Sequence, residues 1–373
     1  MGLNNWMADL DPSQTINLIS IPGTHDSCAL YDHATAGYTQ CQWLSIKDQL
    51  LNGIRFLDIR CTYEVDGKPF EITHGGYDQN VTFADVQRDV IAFLQANPTE
   101  FVLMNVQQEY SSNTDQEFLA RFQSLVAGFE DYWFFETRIP TVAEARRRIV
   151  LVRAGHWWTK GLPWNGYNIN GTSSDTYFET QNAWNAWESD KVAAIKAMLS
   201  GTLYNQGKIV LNFLSYAHGG ATPGRNAEAM NPEIYRYIQN IAQTHCLGVL
   251  PMDFATNTPG FIEEIIRHNY FPAGADLIRI IYKEVLNREP DPQGLNYYTQ
   301  ALLTGSSSSQ VRAEIARSSE SRENIQALYR SYLSGEADPM IVDEYVALLA
   351  SHAMTFIQVE SAIRNSNVIS ANP

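Results

Sequence analysis

Two histidines, two arginines, several carboxylates, a glutamine and a serine stand where apolar runs of this chain end. They are His25 and Asp26, Asp58 and Arg60, His74, Gln107 and Glu109, Arg153, Ser215, and Asp253. An imidazole exchanges a proton near neutral pH, and an adjacent carboxylate tunes or orients it. A guanidinium holds a phosphate and answers the negative charge that grows in a transition state. With two imidazoles, one can take a proton from a nucleophile while the other gives one to a leaving group. Brought together, this set suits general acid–base chemistry on a phosphoryl group. Exposure of strand ends accounts for polarity there, but not for this choice of residues.

The elements that must bring them together are short strands alternating with helices. Thr15–Ser20 reads as a first strand, broken by Pro22 and Gly23 just before His25. A helix is expected over 44–51, ended by Gly53, then a strand over 54–60 and another over 71–74 after an Asp66-Gly67 turn. Thr82 is a candidate N-cap for a helix reaching Asn97-Pro98. Strands are expected over 101–106, 149–153, 209–214 and 247–253, and helices over 115–129, 142–148, 231–244 and 259–268. Such alternation marks βα units around a parallel sheet. Seven or eight strands in this length favour a (β/α) TIM-like barrel over an open sheet, and no GxGxxG follows any strand. Barrels of this kind carry their chemistry at the carboxyl ends of the strands, where the residues above fall. Between His156 and Trp187 lie Trp157, Trp158, Trp164, Tyr167, Tyr177, Phe178, Trp184 and Trp187, interspersed with glycines. This stretch reads as a long loop whose aromatics pack over the rim, meet a lipid interface, or stack on a sugar ring.

Composition narrows the partners. The 373 residues suffice for one large domain and a small one, and 45% hydrophobic content supplies a core. A formal net charge of -15 argues against nucleic acid and against electrostatic docking on anionic membranes. Contact with lipid would then be peripheral, through apolar and aromatic side chains, since no apolar run is long enough to span a bilayer. Met1-Gly2-Leu3-Asn4-Asn5-Trp6 shows no signal peptide in this chain. Cys28, Cys41, Cys61 and Cys246 have no metal-ligand spacing. Cys28 and Cys41 either bridge a loop or remain, with the others, free thiols.

Four motifs in order carry a family resemblance. Ser20-Ile21-Pro22-Gly23-Thr24-His25-Asp26, Gly53-Ile54-Arg55-Phe56-Leu57-Asp58-Ile59-Arg60, Thr73-His74-Gly75 and Pro251-Met252-Asp253-Phe254 resemble the bacterial phosphatidylinositol-specific phospholipases C of the X-domain superfamily. The resemblance implies a distorted TIM barrel over residues 1–271 and cleavage of phosphatidylinositol to diacylglycerol and inositol 1,2-cyclic phosphate. It implies that His25 is the general base, oriented by Asp253, and that His74 is the general acid, partnered by Asp26. Arg60 would bind the phosphate, with Asp58 beside it, in place of the calcium that eukaryotic relatives use, so neither metal nor cofactor is expected. Gln107, Glu109, Arg153 and Ser215 are further substrate-binding candidates, and His156 and His218 are weaker ones. His33, His245, His268 and His352 read as surface or packing residues. The family's headgroup lysine is replaced at Gln107, and its inositol-binding arginine and late-strand carboxylate have no evident counterpart. The alternatives left open are another phosphodiester, such as a glycosylated inositol lipid, and an inactive barrel that binds lipid or carbohydrate. The expected setting is a bacterial, secreted or extracellular enzyme.

Residues 272–373 change to a helical pattern with an internal repeat of 47 residues. Ile281-Tyr282-Lys283-Glu284-Val285-Leu286 matches Leu328-Tyr329-Arg330-Ser331-Tyr332-Leu333, and Asp291-Pro292 matches Asp338-Pro339. This segment resembles a helical domain of unknown function appended to bacterial surface-associated proteins. It reads as a targeting or protein-binding module, its partner unassigned, or as a stabilising appendage.

Overall fold

Apolar strands and threonine caps organise the first part of the chain. The computed structural model describes residues 2–62, 70–109, 111–200, 207–240, 246–303, 306 and 308–370. These fall into two compact units, one ending at Asn269 and the other beginning at Tyr270. The first contains a twelve-stranded sheet. Its strands are β1 (Ile21–Thr24), β2 (Phe56–Thr62), β3 (Glu71–His74), β4 (Tyr77–Thr82), β5 (Val102–Gln108) and β6 (Trp133–Phe134). There follow β7 (Ile149–Ala154), β8 (Leu162–Trp164), β9 (Gly171–Ser174), β10 (Phe178–Asn182), β11 (Ile209–Asn212) and β12 (Val249–Met252). Its helices are α1 (Ile46–Leu51), α2 (Phe83–Ala96), α3 (Asp115–Val126), α4 (Val142–Ala145), α5 (Glu188–Ser200), α6 (Pro223–Asn240) and α7 (Phe261–Arg267). Thr82, Thr114 and Thr141 open α2, α3 and α4 through reciprocal capping boxes with Asp85, Glu117 and Glu144, which satisfy donors a helix start leaves unpaired.

Strands β8, β7, β5, β2, β1, β12, β11 and β10 pair in that order, each pairing parallel. Strand β7 is buried throughout, as a strand covered on both faces must be. The β3–β4 hairpin hangs antiparallel from β2. Among the described residues no backbone ladder joins β8 to β10. Side chains bridge that seam: Trp164 Nε1 donates to Thr180 Oγ1 at 2.9 Å, and the Trp164 ring lies 6.4 Å from that of Phe178. The result is a distorted (β/α) barrel, incompletely closed.

Several elements differ from the sequence reading. The first strand is Ile21–Thr24 rather than 15–20, and Ile16–Leu18 is a 3-10 turn. Gly23 lies within β1, and its purpose is close approach: a Cβ there would sit 2.9 Å from the Cβ of Phe56 on β2. The stretch 156–187 is not one loop but carries β8, β9 and β10. Strand β10 escaped notice because Thr180, Gln181 and Asn182 are polar yet buried. Helix α6 starts at Pro223, eight residues early, its beginning masked by Gly224 and the internal Pro232. The Asp66-Gly67 turn and the end of the helix expected over 231–244 lie outside the described residues. All four cysteines are free thiols, so Cys28 and Cys41 do not bridge.

The second unit holds α8 (Phe271–Leu286), α9 (Pro292–Leu303), α10 (Ser308–Ala316), α11 (Ser319–Leu333), α12 (Pro339–Ala350) and α13 (Phe356–Ser370). Pro292 and Pro339, 47 residues apart, each begin a helix, where a missing N–H costs nothing. Asn287 and Ser334, also 47 apart, both end the preceding helix in the left-handed region, with φ of 54° and 53°. Val285, Ile325, Val346 and Ile363 are among its core residues. No helix among the described residues is long and apolar enough to cross a membrane.

An ion pair anchors the N-terminal end of the barrel, away from the strand ends that carry the polar set. Arg55 and Glu100 are fully buried, and the Arg55 guanidinium donates to Glu100 Oε2 at 2.8 and 3.0 Å and to the carbonyls of Leu50, Ile54, Leu3 and Asn4. Burial lowers Arg55 to about 10 and raises Glu100, in each case against the attraction of the partner. Removing one member therefore strands an uncompensated charge. Glu100→Gln is expected to destabilise the barrel by about 3–5 kcal/mol, read as a lower urea midpoint in chemical unfolding.

Candidate active site

The carboxyl ends of β1, β2, β5, β11 and β12 open on a cleft of about 530 Å³. His25, Asp26, Arg60, His74, Gln107, Glu109, Ser215 and Asp253 all line it. His25 and Asp26 follow β1 directly. Asp26 adopts φ of 41°, a left-handed conformation that aspartate tolerates better than most residues. This turn is braced from within. Thr24 Oγ1 donates to Gln49 Oε1 at 2.8 Å, Gln49 Nε2 donates to the Ser27 carbonyl at 2.7 Å, and the Asp58 N–H donates to Ser27 Oγ at 2.8 Å. Asp253 follows β12, and the next residue, Phe254, also has positive φ, 45°. For a bulky side chain that is a strained conformation. It is held by a Phe254 N–H bond to the Cys41 carbonyl at 2.7 Å and by edge-on packing against Trp43 at 4.9 Å.

The geometry centres on Asp26. Its Oδ2 lies 3.2 Å from His25 Nε2 and 3.5 Å from His74 Nε2, while its Oδ1 takes Arg60 Nε at 3.1 Å. The other nitrogen of His25, Nδ1, is 2.8 Å from Asp253 Oδ1. His74 Nδ1 lies 3.1 Å from the Thr39 carbonyl, which fixes the ring and leaves Nε2 toward the cleft. Arg60 also donates to Asp58 Oδ2 at 3.0 Å and to Glu109 Oε1 at 3.2 Å. Asp58 is held in turn by Asn105 Nδ2 at 2.7 Å.

Electrostatics follow from that packing. Burial works against a charged His25, but the Asp253 and Asp26 carboxylates outweigh it and hold the imidazole above its ordinary value. Burial is likewise the largest influence on Arg60, and Asp26, Asp58 and Glu109 overcome it to keep the guanidinium charged. Asp58 is depressed, because Arg60 and His25 outweigh its burial. Glu109 is raised, chiefly by burial, with Asp26 and Asp58 adding repulsion.

Not every candidate reaches the cleft. Arg153 does not line it: the side chain is buried on β7, donating to the carbonyls of Gly155 and Lys160. Asp58 stands behind Arg60 rather than on the cleft wall. His156 is not among the lining residues, and His218 lies outside too, with its ring 4.0 Å from that of Trp187. The aromatic stretch divides: Trp157, Trp164 and Phe178 are core, whereas Tyr167 and Trp184 line the cleft with Tyr38 and Tyr216. The buried amides are the residues the sequence reading missed. Gln42 Nε2 donates to the carbonyls of His25 and Met252, at 2.9 and 2.8 Å, and Asn231 Nδ2 to that of Asp253 at 2.9 Å. Isolated amides ordinarily read as solvated, but Asn105, inside the apolar run Phe101–Val106, was a legible signal of a buried polar partner.

A (β/α) barrel with two imidazoles, a guanidinium and carboxylates at its strand ends has the groups that acid–base chemistry requires. Residues 19–154 match the family model for the X domain of phosphatidylinositol-specific phospholipase C, and residues 267–325 match a domain of unknown function (DUF4214). The 1-phosphatidylinositol phosphodiesterase of Listeria monocytogenes is 28% identical over 71% of this chain and 85% of its own length. That of Staphylococcus aureus is 26% identical over 71% of this chain and 94% of its own. The solved phosphatidylinositol-specific phospholipases C of S. aureus and L. monocytogenes superpose with TM-scores of 0.64 and 0.61, each at 26% identity and over 72% of this chain, covering 98% and 99% of theirs. Over this unit the chain is thus similar, in sequence and in fold, to the X-domain phosphatidylinositol-specific phospholipases C of bacteria.

The raised pKa of His25 has a definite sign. The folded state favours the protonated ring, so this contribution to stability is fully present below the ordinary value of 6.5 and is lost as pH rises through the folded pKa. An NMR titration of the imidazoles should find His25 titrating above 6.5, and Asp253→Asn should move it downward. An unmoved titration would refute the assigned cause.

Proposed function

We propose that the chain is a metal-independent phospholipase C-type phosphodiesterase that cleaves phosphatidylinositol to diacylglycerol and inositol 1,2-cyclic phosphate. One observation carries the reading: the Asp26 carboxylate lies between the Nε2 atoms of His25 and His74, with Arg60 on its other oxygen. His25, oriented through Nδ1 by Asp253, takes the proton of the inositol 2-hydroxyl. That oxygen attacks phosphorus and closes the cyclic phosphate. His74 gives its proton to the departing diacylglycerol oxygen, and Asp26 partners the imidazolium this requires. Arg60 binds the phosphate and meets the charge that accumulates on its oxygens. Slower attack by water on the cyclic phosphate, with the histidine roles reversed, yields inositol 1-phosphate. Asp58 and Glu109 hold Arg60 in place, and Gln107 and Ser215 face the headgroup.

Gln107 favours a second substrate of the same class. It offers a neutral amide where the family resemblance implies a headgroup lysine, and residues matching the variant-surface-glycoprotein phospholipase C of Trypanosoma cruzi are 31% identical over 33% of this chain. A glycosylated inositol lipid would undergo the same chemistry.

The membrane contact is peripheral and the setting extracellular on this reading. Trp43 and Trp187 are 59% and 64% exposed, and Trp184 and Tyr38 at the cleft are about half exposed. With a net charge of -15, aromatic insertion rather than charge attraction would hold the enzyme on lipid. The helical unit is assigned a targeting or protein-binding role.

His25→Ala and His74→Ala should each lower turnover of phosphatidylinositol by roughly 10²–10⁴-fold. With a nitrophenyl leaving group, which needs no proton, His74→Ala should recover most of its loss while His25→Ala does not. Equal defects on both substrates would contradict the division of roles. Trp187→Ala should weaken binding to zwitterionic vesicles by about tenfold, the worth of one buried aromatic, with the rate on a soluble short-chain substrate unchanged.

A further inference from the structure

Cys41 lines the catalytic cleft and has no part in the chemistry above. Its Sγ lies 3.8 Å from His74 Nδ1. Cys41 Sγ, a nitrogen of His25 and a carboxylate oxygen of Asp26 lie within 4.8 Å of one another. We propose that these three residues form a binding site for a soft divalent cation of the zinc type, and that occupancy inhibits the enzyme.

Three observations beyond the thiol itself support the site. Asp26 is only 3% exposed, and its Oδ2 lies 3.2 and 3.5 Å from the two Nε2 atoms without forming an aligned hydrogen bond to either. That is a buried acceptor with capacity to spare, which a cation would satisfy. His25 is already arranged as metal-binding histidines are: Nδ1 is committed to the Asp253 carboxylate at 2.8 Å, which fixes the ring and turns Nε2 toward Asp26 Oδ2, 3.2 Å away, where a cation would be shared by the two. The donor set is thiol, imidazole and carboxylate with a fourth position open to the cleft, which matches tetrahedral zinc at bond lengths of about 2.0–2.3 Å after a small closure of the ligands.

Arg60 decides which cation is admitted. A hard ion such as calcium or magnesium needs six or so oxygens, whereas the guanidinium occupies Asp58 Oδ2 and Glu109 Oε1 and places a fixed positive charge beside both carboxylates. A thiolate needs no such set and selects zinc over both. Binding expels the Cys41 proton to solvent, so thiolate and Asp26 carboxylate together neutralise the dication. Arg60 keeps Asp58 and Glu109 when Asp26 turns to the metal. A cation on His25 Nε2 and Asp26 Oδ2 removes the proton acceptor and ties the carboxylate that partners His74. The inhibitory consequence rests on the proposed phosphodiesterase reaction, whereas metal binding does not.

The full chain is titrated with cobalt(II), which reports thiolate ligation by a near-ultraviolet charge-transfer band, and the cobalt is then displaced by zinc in competition with a chromophoric chelator. A band is expected in the wild-type protein and in Cys246→Ser, and none in Cys41→Ser or Cys41→Ala, with zinc affinity lowered by at least about tenfold in both Cys41 variants. Zinc should also perturb the His25 imidazole resonance of the wild-type protein, a readout that needs no variant. Phosphatidylinositol turnover should fall with zinc, recover with EDTA, and be indifferent to calcium and magnesium. A band that survives in Cys41→Ser, no band in the wild-type protein, or an unmoved His25 resonance at saturating zinc overturns the site. Cobalt binding at Cys41 with no turnover of any phosphodiester would instead leave the site standing and remove the enzyme reading.

Discussion

The carboxylate of Asp26 is the interaction on which the rest of the site depends. One oxygen stands between two imidazoles and the other holds a guanidinium. A lone charge so deeply buried would be costly. It is sustained by three cationic or potentially cationic partners, and they in turn are spaced by it. Asp58 and Glu109 complete the arrangement by fixing Arg60 from the far side. On the proposed reaction, a phosphodiester entering the cleft would meet positive charge already aimed, with little reorganisation left for the reaction itself to supply.

The barrel makes this arrangement by placing different strands side by side. His25 and Asp26 follow β1, Asp58 and Arg60 lie on the neighbouring β2, and Asp253 follows β12 on the other flank. His74 arrives on a hairpin added to β2. Two strained turns, at Asp26 and Phe254, aim these groups, and buried amides from Gln42, Gln49 and Asn231 hold the turns. The mechanism thus depends on polar contacts in layers behind the cleft, while Arg55 and Glu100 secure the opposite end of the barrel.

Much of this was legible in the sequence because the candidate site residues fall at the ends of apolar runs, and strands buried on both faces leave such runs plainly visible. The β2, β5 and β7 segments and the capping threonine Thr82 were read correctly on that ground. Strand β10 was not, because Thr180 and Gln181, on opposite faces of the strand, are both buried in hydrogen bonds, to Trp164 and Asn212, rather than packed as hydrocarbon. Arg153 ends an apolar strand as Arg60 nearly does, but its guanidinium turns back to backbone carbonyls. A side chain's direction at a strand end is set by the adjoining loop, which the local sequence does not specify. Cys41 was visible only as a thiol, since its neighbours in space come from strands far away in the chain.

The central claim is that two histidines and an arginine close a cyclic phosphate without a metal. Phosphorus NMR of phosphatidylinositol vesicles incubated with the full chain and EDTA tests it most directly. The account predicts a five-membered cyclic phosphodiester signal that appears before any inositol 1-phosphate. Turnover only after calcium is restored, or inositol 1-phosphate with no cyclic precursor, would contradict it.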